Sequence, residues 1–319
     1  MHSISAGSAA VEPGSSGTGS KLDSIPNLKL NDGYEIPMLA YGLGTARTTE
    51  ESEETVRLTA MAIRNGYYHL DGAQSYKNEA ALGAAIAQSG VDRARLFVTT
   101  KLQNVNMDAS RAIDESLARL GLSYVDLYLI HAPFAAASSP EVLRGAWRAL
   151  EAIRASGRAR SIGVSNFSVA HLETILAGAD VVPAVNQVEF HPYLQQQHAD
   201  DDDEGGGLLA FCRARGIAVA AYGALAPVTK ASPGPCDAAY ARLARKYAVR
   251  EADVALRWCL DQGVAVVTTS ASEERLRGYA ERVPAFALAP AEVAEIAAEG
   301  RKKHFRGFWT KWYPDEGKQ

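Results

Sequence analysis

Short apolar runs recur along the chain, and the stretches between them carry apolar positions at helical spacing. Eight runs read as strands: residues 41–45, 67–71, 96–101, 125–131, 160–165, 184–190, 217–222 and 264–268. Helical patterns fill the gaps. Residues 55–65 and 79–88 form two, and residues 109–120 set Ile113, Leu117 and Leu120 on one face. Pro140 suits the first turn of another helix, which carries Leu143, Trp147, Leu150 and Ile153 and stops at Gly157. Ahead of the first strand, residues 28–36 read as a hairpin with Asn31-Asp32-Gly33 as its turn. Strands alternating with helices in this way predict the α/β class and a parallel (β/α)8 TIM barrel.

Composition narrows the picture. A chain of 319 residues suits one such barrel. With 47% hydrophobic and 22% charged residues it reads as an ordinary soluble globular protein. A net charge of −4 argues against nucleic acid or an anionic membrane as partner, and no apolar run approaches the roughly 18 residues needed to span a bilayer. Cys212, Cys236 and Cys259 are odd in number and lack metal-like spacing, which fits reduced thiols in a cytoplasmic protein. Residues 1–23 are rich in Ser, Gly and Ala and contain no apolar signal core. They are expected to form a disordered tail, leaving residues 24–319 as the barrel domain. The acidic run at residues 200–204, followed by glycines, reads as a solvated loop, although a row of aspartates is also a cation-binding composition.

The candidate chemistry sits where three strands end. Asp71 closes the second run, Lys101 the third and His131 the fourth, with Tyr76 five residues after Asp71. In a parallel barrel the C-terminal strand ends converge on one face. A free tyrosine, with a pKa near 10, is a poor acid at neutral pH and needs a neighbouring cation. At about 4 Å and an effective dielectric of about 20, an ammonium attracts a phenolate by roughly 4 kcal/mol, so Lys101 is expected to lower the Tyr76 pKa. Taken singly, a plain Asp–Lys ion pair and a hydrogen-bonded strand-end histidine would also account for these residues.

Asp71, Tyr76, Lys101 and His131 match, in type, order and context, the tetrad of the aldo-keto reductases, which the chain resembles over residues 24–315. The resemblance implies a metal-free oxidoreductase that uses NADPH, with NADH as a weaker alternative, to reduce ketones or aldehydes. Tyr76 would donate the proton, and His131, as neutral imidazole, would orient the carbonyl. It implies that the hairpin plugs the barrel bottom and that a C-terminal loop closes over the substrate. Gly44, Thr45 and Asp71 would lie against the cofactor; Ser165, Asn166 and Gln187 would hold the nicotinamide carboxamide; Tyr222 would stack on the nicotinamide ring.

At the adenine end Thr268, Thr269, Ser270 and Arg275 match the phosphate-binding segment, with Thr269 where the family usually has Lys and Tyr279 where it commonly has Asn. The substrate pocket would comprise Ala46, Tyr76, His131, Ala132, Phe134, Trp309 and Trp312. Ala46 and Ala132 stand where common members carry Trp, which suggests a roomier pocket suited to bulky, polyketide-like ketones. The Thr-Thr-Ser variant, the short segment after His131 and the tail around Phe305-Arg-Gly-Phe-Trp309 resemble the fungal branch that reduces ketones and conjugated polyketones. The tail aromatics read equally well as packing against the barrel. Two other activities stay open: an alcohol dehydrogenase working in the oxidative direction, and a non-catalytic cofactor-binding subunit like the potassium-channel β subunits. A monomer or weak dimer acting on a small molecule is expected.

Overall fold

A computed structural model describes residues 25, 27–44, 52–134, 139–196 and 207–312. The expectations for residues 1–23, for Thr45 and Ala46 and for the acidic run at 200–204 fall outside these residues.

Two short strands, β1 (Leu28–Lys29) and β2 (Glu35–Ile36), pair antiparallel, with Leu28 opposite Ile36. Gly33 turns the hairpin at φ 93°, a region closed to most side chains. Leu30 and Ile36 are buried in the core, and Asn31 Nδ2 donates to Pro183 O at 2.9 Å, so the hairpin docks under the barrel.

Eight parallel strands close the barrel: β3 (Leu39–Gly42), β4 (His69–Asp71), β5 (Phe97–Leu102), β6 (Val125–Ile130), β7 (Ala159–Ser165), β8 (Val185–Glu189), β9 (Ala218–Tyr222) and β10 (Ala265–Thr268). They run in chain order, with β10 pairing back onto β3 through Val266 and Leu39. Central strands such as β5 and β6 are buried at every residue, as expected of parallel strands covered by helices.

The first barrel strand differs from the expectation. It occupies Leu39–Gly42 because Leu39–Tyr41 pair with β10 and Ala40–Gly42 with β4, so Gly44 lies beyond the strand, beside Tyr76.

The helices follow local signals. Ser52 caps α1 (Glu53–Arg64), Asp108 caps α3 (Ala109–Leu120), and Ser139 with Pro140 starts α4 (Pro140–Ala155). Helix α2 (Glu79–Ser89) opens directly after the Tyr76 turn. Buried indoles anchor the helical layer: Trp147 Nε1 donates to Val181 O at 3.0 Å and Trp258 Nε1 to Val293 O at 3.1 Å. With the polar atom satisfied, removing either side chain costs about 3–5 kcal/mol.

Candidate active site

Asp71 ends β4, Lys101 lies one residue before the end of β5, and His131 follows β6 directly, its backbone N–H on Leu102 O at 3.0 Å. Beyond Asp71 the chain enters a 3-10 turn, Gln74–Tyr76, which Lys77 ends at a left-handed φ of 55°. Gln74 pins this turn: its Nε2 donates to Ala112 O at 2.9 Å and its Oε1 accepts from Gln103 N at 3.0 Å. Behind it, the buried Glu79 carboxylate accepts from Thr100 Oγ1 at 2.6 Å and Arg119 Nε at 2.8 Å. Tyr76 is therefore carried on a braced turn. Its ring is partly exposed, while its hydroxyl lies beside Gly44, where an added Cβ would fall 2.8 Å from the ring and 2.9 Å from the oxygen.

Lys101 is wholly buried. Its Nζ donates to Asp71 Oδ1 at 2.6 Å and Gly72 O at 2.8 Å, and stands 5.1 Å from the Tyr76 ring centre. The other Asp71 oxygen accepts from Gln187 Nε2 at 2.7 Å. Burial works against the Lys101 charge, but Asp71 and then Tyr76 outweigh it and hold the pKa above the usual lysine value. The ammonium is kept at neutral pH.

The Lys101 charge acts on Tyr76 with the expected sign, but the net shift of the phenol pKa is upward. Burial of the phenol raises it more than the Lys101 charge lowers it, with Asp71 adding to the rise. The phenol is therefore protonated at neutral pH.

Burial, helped by the Lys101 charge, pushes His131 down to about 3, so its imidazole is neutral. Its Nδ1 lies 3.0 Å from Ser75 Oγ, and its ring meets the Tyr76 ring edge-on at 5.5 Å. When Ser75 donates to Nδ1, the ring proton sits on Nε2, as a hydrogen-bond donor to a carbonyl requires.

A second polar group lies across the barrel mouth. Ser165 Oγ donates to Gln187 O at 2.7 Å, and Asn166 Nδ2 donates to His131 O at 2.8 Å and Ser165 Oγ at 3.0 Å. Asn166 has φ 63°, a conformation asparagine tolerates better than most residues. Tyr222, ending β9, donates to Asn166 Oδ1 at 2.6 Å. Ser165, Asn166, Gln187 and Tyr222 are thus one connected set, joined to Asp71 through Gln187.

The third group follows β10, which ends at Thr268. Ser270 Oγ accepts from Arg275 Nε at 3.1 Å and Ser272 N at 3.0 Å, at the start of the helix Glu273–Arg282. Thr269 Oγ1 is buried with no hydrogen-bond partner, an orphaned polar atom beside an exposed arginine and a helix N-terminus. That combination fits an anionic ligand. Tyr279 is buried in the core cluster.

Aromatic residues form a wall above His131. Trp309 lies 5.9 Å from His131 and 5.3 Å from Phe134, which stacks on Trp312 at 5.4 Å. Ala132 is buried beneath them. The two readings of the tail divide by residue: Phe305 packs on the core and His191, whereas Phe308 and Trp309 turn toward the site. Besides Gln74 and the partners of Glu79 that brace the Tyr76 turn, three contributors were not singled out from the sequence: Ser75 on His131, Gly72 O on Lys101, and Glu189 under the tail. A carboxylate closing a wholly buried strand was the available signal for Glu189. The other two depend on turn geometry that residue types do not encode.

Among the described residues no group of three or more His, Cys, Asp or Glu side chains is placed to hold a metal ion, and no helix is long and apolar enough to cross a membrane.

The chain is similar to known proteins over most of its length. A NAD/NADP-dependent indole-3-acetaldehyde reductase of Schizosaccharomyces pombe is 34% identical over 86% of this chain and 96% of its own length. A morphine 6-dehydrogenase of Pseudomonas putida is 40% identical over 85% of this chain and 90% of its own. The solved structure of a Bombyx mori aldo-keto reductase in complex with NADP superposes with a TM-score of 0.77 at 33% identity, covering 90% of this chain and 96% of that one. The family profile itself matches residues 39–299, and the chain belongs to the aldo/keto reductase family.

Proposed function

We propose that the protein reduces a ketone or aldehyde to an alcohol with NADPH, and that Tyr76 delivers the proton. The observation that carries this is the buried Lys101, fixed by Asp71 at 2.6 Å and facing a protonated Tyr76 beside a neutral His131. Bound NADPH supplies the hydride to the carbonyl carbon. His131 Nε2 hydrogen-bonds the carbonyl oxygen and aligns it. As negative charge grows on that oxygen, Tyr76 transfers its proton there, and Lys101 stabilises the phenolate left behind. Asp71 keeps Lys101 in place.

Ser165, Asn166 and Gln187 would hold the carboxamide end of the cofactor, with Tyr222 against its ring and Gly44 and Thr45 along its other side. Thr268, Thr269, Ser270 and Arg275 would take the phosphate end. Arg275 can make charge-assisted contacts, each contributing about 1.5–3 kcal/mol, or roughly ten- to 150-fold in affinity, which supports a preference for NADPH over NADH without the usual lysine. The NADP bound to the Bombyx relative and the NAD/NADP dependence named for the Schizosaccharomyces relative support the same choice.

Small residues at Ala46 and Ala132, with Phe134, Trp309 and Trp312 as the apolar wall, favour bulky or conjugated ketones over small aldehydes. Run in reverse, the same groups oxidise an alcohol, the direction named for the Pseudomonas relative.

The test is NADPH oxidation against ketones, aldehydes and 1,2-diketones, with wild type beside Tyr76→Phe. A loss of about a hundredfold or more in kcat, with NADPH affinity retained, is expected. Full activity in Tyr76→Phe would remove this residue as the donor. Wild-type protein that binds NADPH and reduces nothing on the panel would leave a regulatory subunit as the better reading.

A further inference from the structure

We propose that Glu189 is a positioning residue that latches the C-terminal segment over the reaction centre, and that this latch sets how tightly the carbonyl substrate is held. The proposal rests on the reductase reading for its substrate but not for its geometry. Glu189 is the last residue of β8 and is wholly buried. It lies two positions after Gln187 and so shares its side of the strand. Gln187 reaches Asp71, whereas Glu189 reaches the tail. Its Oε1 accepts from Gly307 N at 2.8 Å and its Oε2 from Phe308 N at 3.1 Å, with His191 Nε2 3.3 Å from Oε1. Two consecutive backbone amides of a segment outside any helix or sheet are thus bound by one carboxylate, one to each oxygen. Such hydrogen bonds are charge-assisted, and a buried carboxylate requires them.

The position of this contact gives it consequence. Among the described residues, Phe308 N is the last group of the segment to hydrogen-bond the barrel; beyond it only Trp312 N bonds, and that bond is to Trp309 O. Phe308 meets Tyr222 edge-on at 5.2 Å, and Tyr222 is the direct cross-strand partner of Glu189. Trp309, turned by a left-handed φ of 59°, sets its indole against His131 and Phe134. The side chains that back the proposed cofactor-facing tyrosine and roof the histidine are therefore held by the residues immediately at the latch. Gly307 permits the approach, since a Cβ there would fall 3.1 Å from Glu189 Oε1.

Glu189→Gln keeps the shape but turns an amide NH2 toward one of the two backbone N–H groups, which loses its acceptor. Native-state hydrogen exchange at Gly307 and Phe308 should accelerate about tenfold or more. At saturating NADPH the KM for the preferred ketone should rise about tenfold, while kcat stays within about threefold. Gly307→Ala, which strains the same contact from the tail side, should reproduce both changes and serves if Glu189→Gln does not fold. Trp309→Ala should raise KM without altering exchange at Gly307, and combining it with Glu189→Gln should raise KM no further. Unchanged exchange in both Glu189→Gln and Gly307→Ala overturns the latch. Faster exchange with an unchanged KM overturns its role in substrate binding. A wild type without turnover would defeat the reductase reading, while the exchange measurement still decides the latch.

Discussion

At the upper end of the barrel Asp71 holds Lys101 at 2.6 Å beside Tyr76; at the lower end Asp126 holds Arg93 at 2.6 Å and Arg160 at 3.0 Å beside Tyr124. Each end has a buried aspartate, a cation and a phenol, yet the two are finished differently. Below, two guanidinium groups and the Val98 N–H occupy both Asp126 oxygens, and each guanidinium lies 4.2 Å over the face of Tyr124. Those planar cations are paired with fixed partners and lie at an edge 19% and 37% open to solvent. Above, the ion pair is closed to solvent, with side-chain exposures of 0% and 3%. The ammonium has three donors and uses two of them on Asp71 and Gly72, which leaves the third for the phenol. A carboxylate, a cation and a tyrosine do not make a proton-transfer site by themselves. The upper site differs in having a cation with a donor left over 5.1 Å from the centre of a phenol ring.

The largest expected effect comes from removing the upper cation. Lys101→Met leaves Asp71 buried with its charge uncompensated, a change that costs about 3–5 kcal/mol. It also strips the phenolate of its stabiliser, so urea unfolding and kcat should fall together. Loss of activity with stability intact would mean that Asp71 is relieved by other donors, with Gln187 the first to suspect.

The next effect sharpens the electrostatic half of the contrast. His131 has a folded pKa of about 3 against about 6.5 when free. Between those values the unfolded chain takes up a proton that the folded chain refuses. The His131 contribution is therefore fully present above about pH 6.5 and is lost as pH falls, at about 1.4 kcal/mol per pH unit. Urea unfolding of His131→Gln between about pH 6 and pH 5 should show a slope shallower than wild type by about that amount. His69, also held neutral by burial, is present in both proteins and cancels. Equal slopes would mean that the imidazole is not shielded as its burial implies.

The sequence carried these features unequally. Parallel strands buried on both faces make continuous apolar runs, so seven of the eight expected strands overlap the observed ones within two residues at either end, while the first had to be moved back to Leu39–Gly42. The convergence of Asp71, Lys101 and His131 followed from strand ends alone. The sign of the Tyr76 shift did not, because a charge is visible in a sequence and the burial that opposes it is not. The contacts of Glu189 are not legible in the sequence for a related reason: its partners are backbone amides more than a hundred residues away, and an amide has no letter of its own. The Ser75 contact to His131 depends on a 3-10 turn that brings a serine across a gap of 56 positions.

Arg160→Met makes the smallest change and isolates the lower site. Its guanidinium is 37% exposed, so screening keeps its pairing with Asp126 to about 1 kcal/mol or less. Asp126 does not become an orphan, because Arg93 still meets it at 2.6 Å and Val98 N at 2.9 Å. Lost stacking on Tyr124 adds little, since the methionine stem keeps much of that contact. Unfolding should therefore shift by about 1 kcal/mol, with kcat and KM unchanged. A several-fold fall in kcat would show that the lower pair communicates with the upper site through β7, whose Arg160 and Ser165 lie at opposite ends of one strand. Stability reduced as far as in Lys101→Met would show instead that the redundancy at Asp126 is geometric only, and that the two ends of the barrel differ less than their hydrogen bonds indicate.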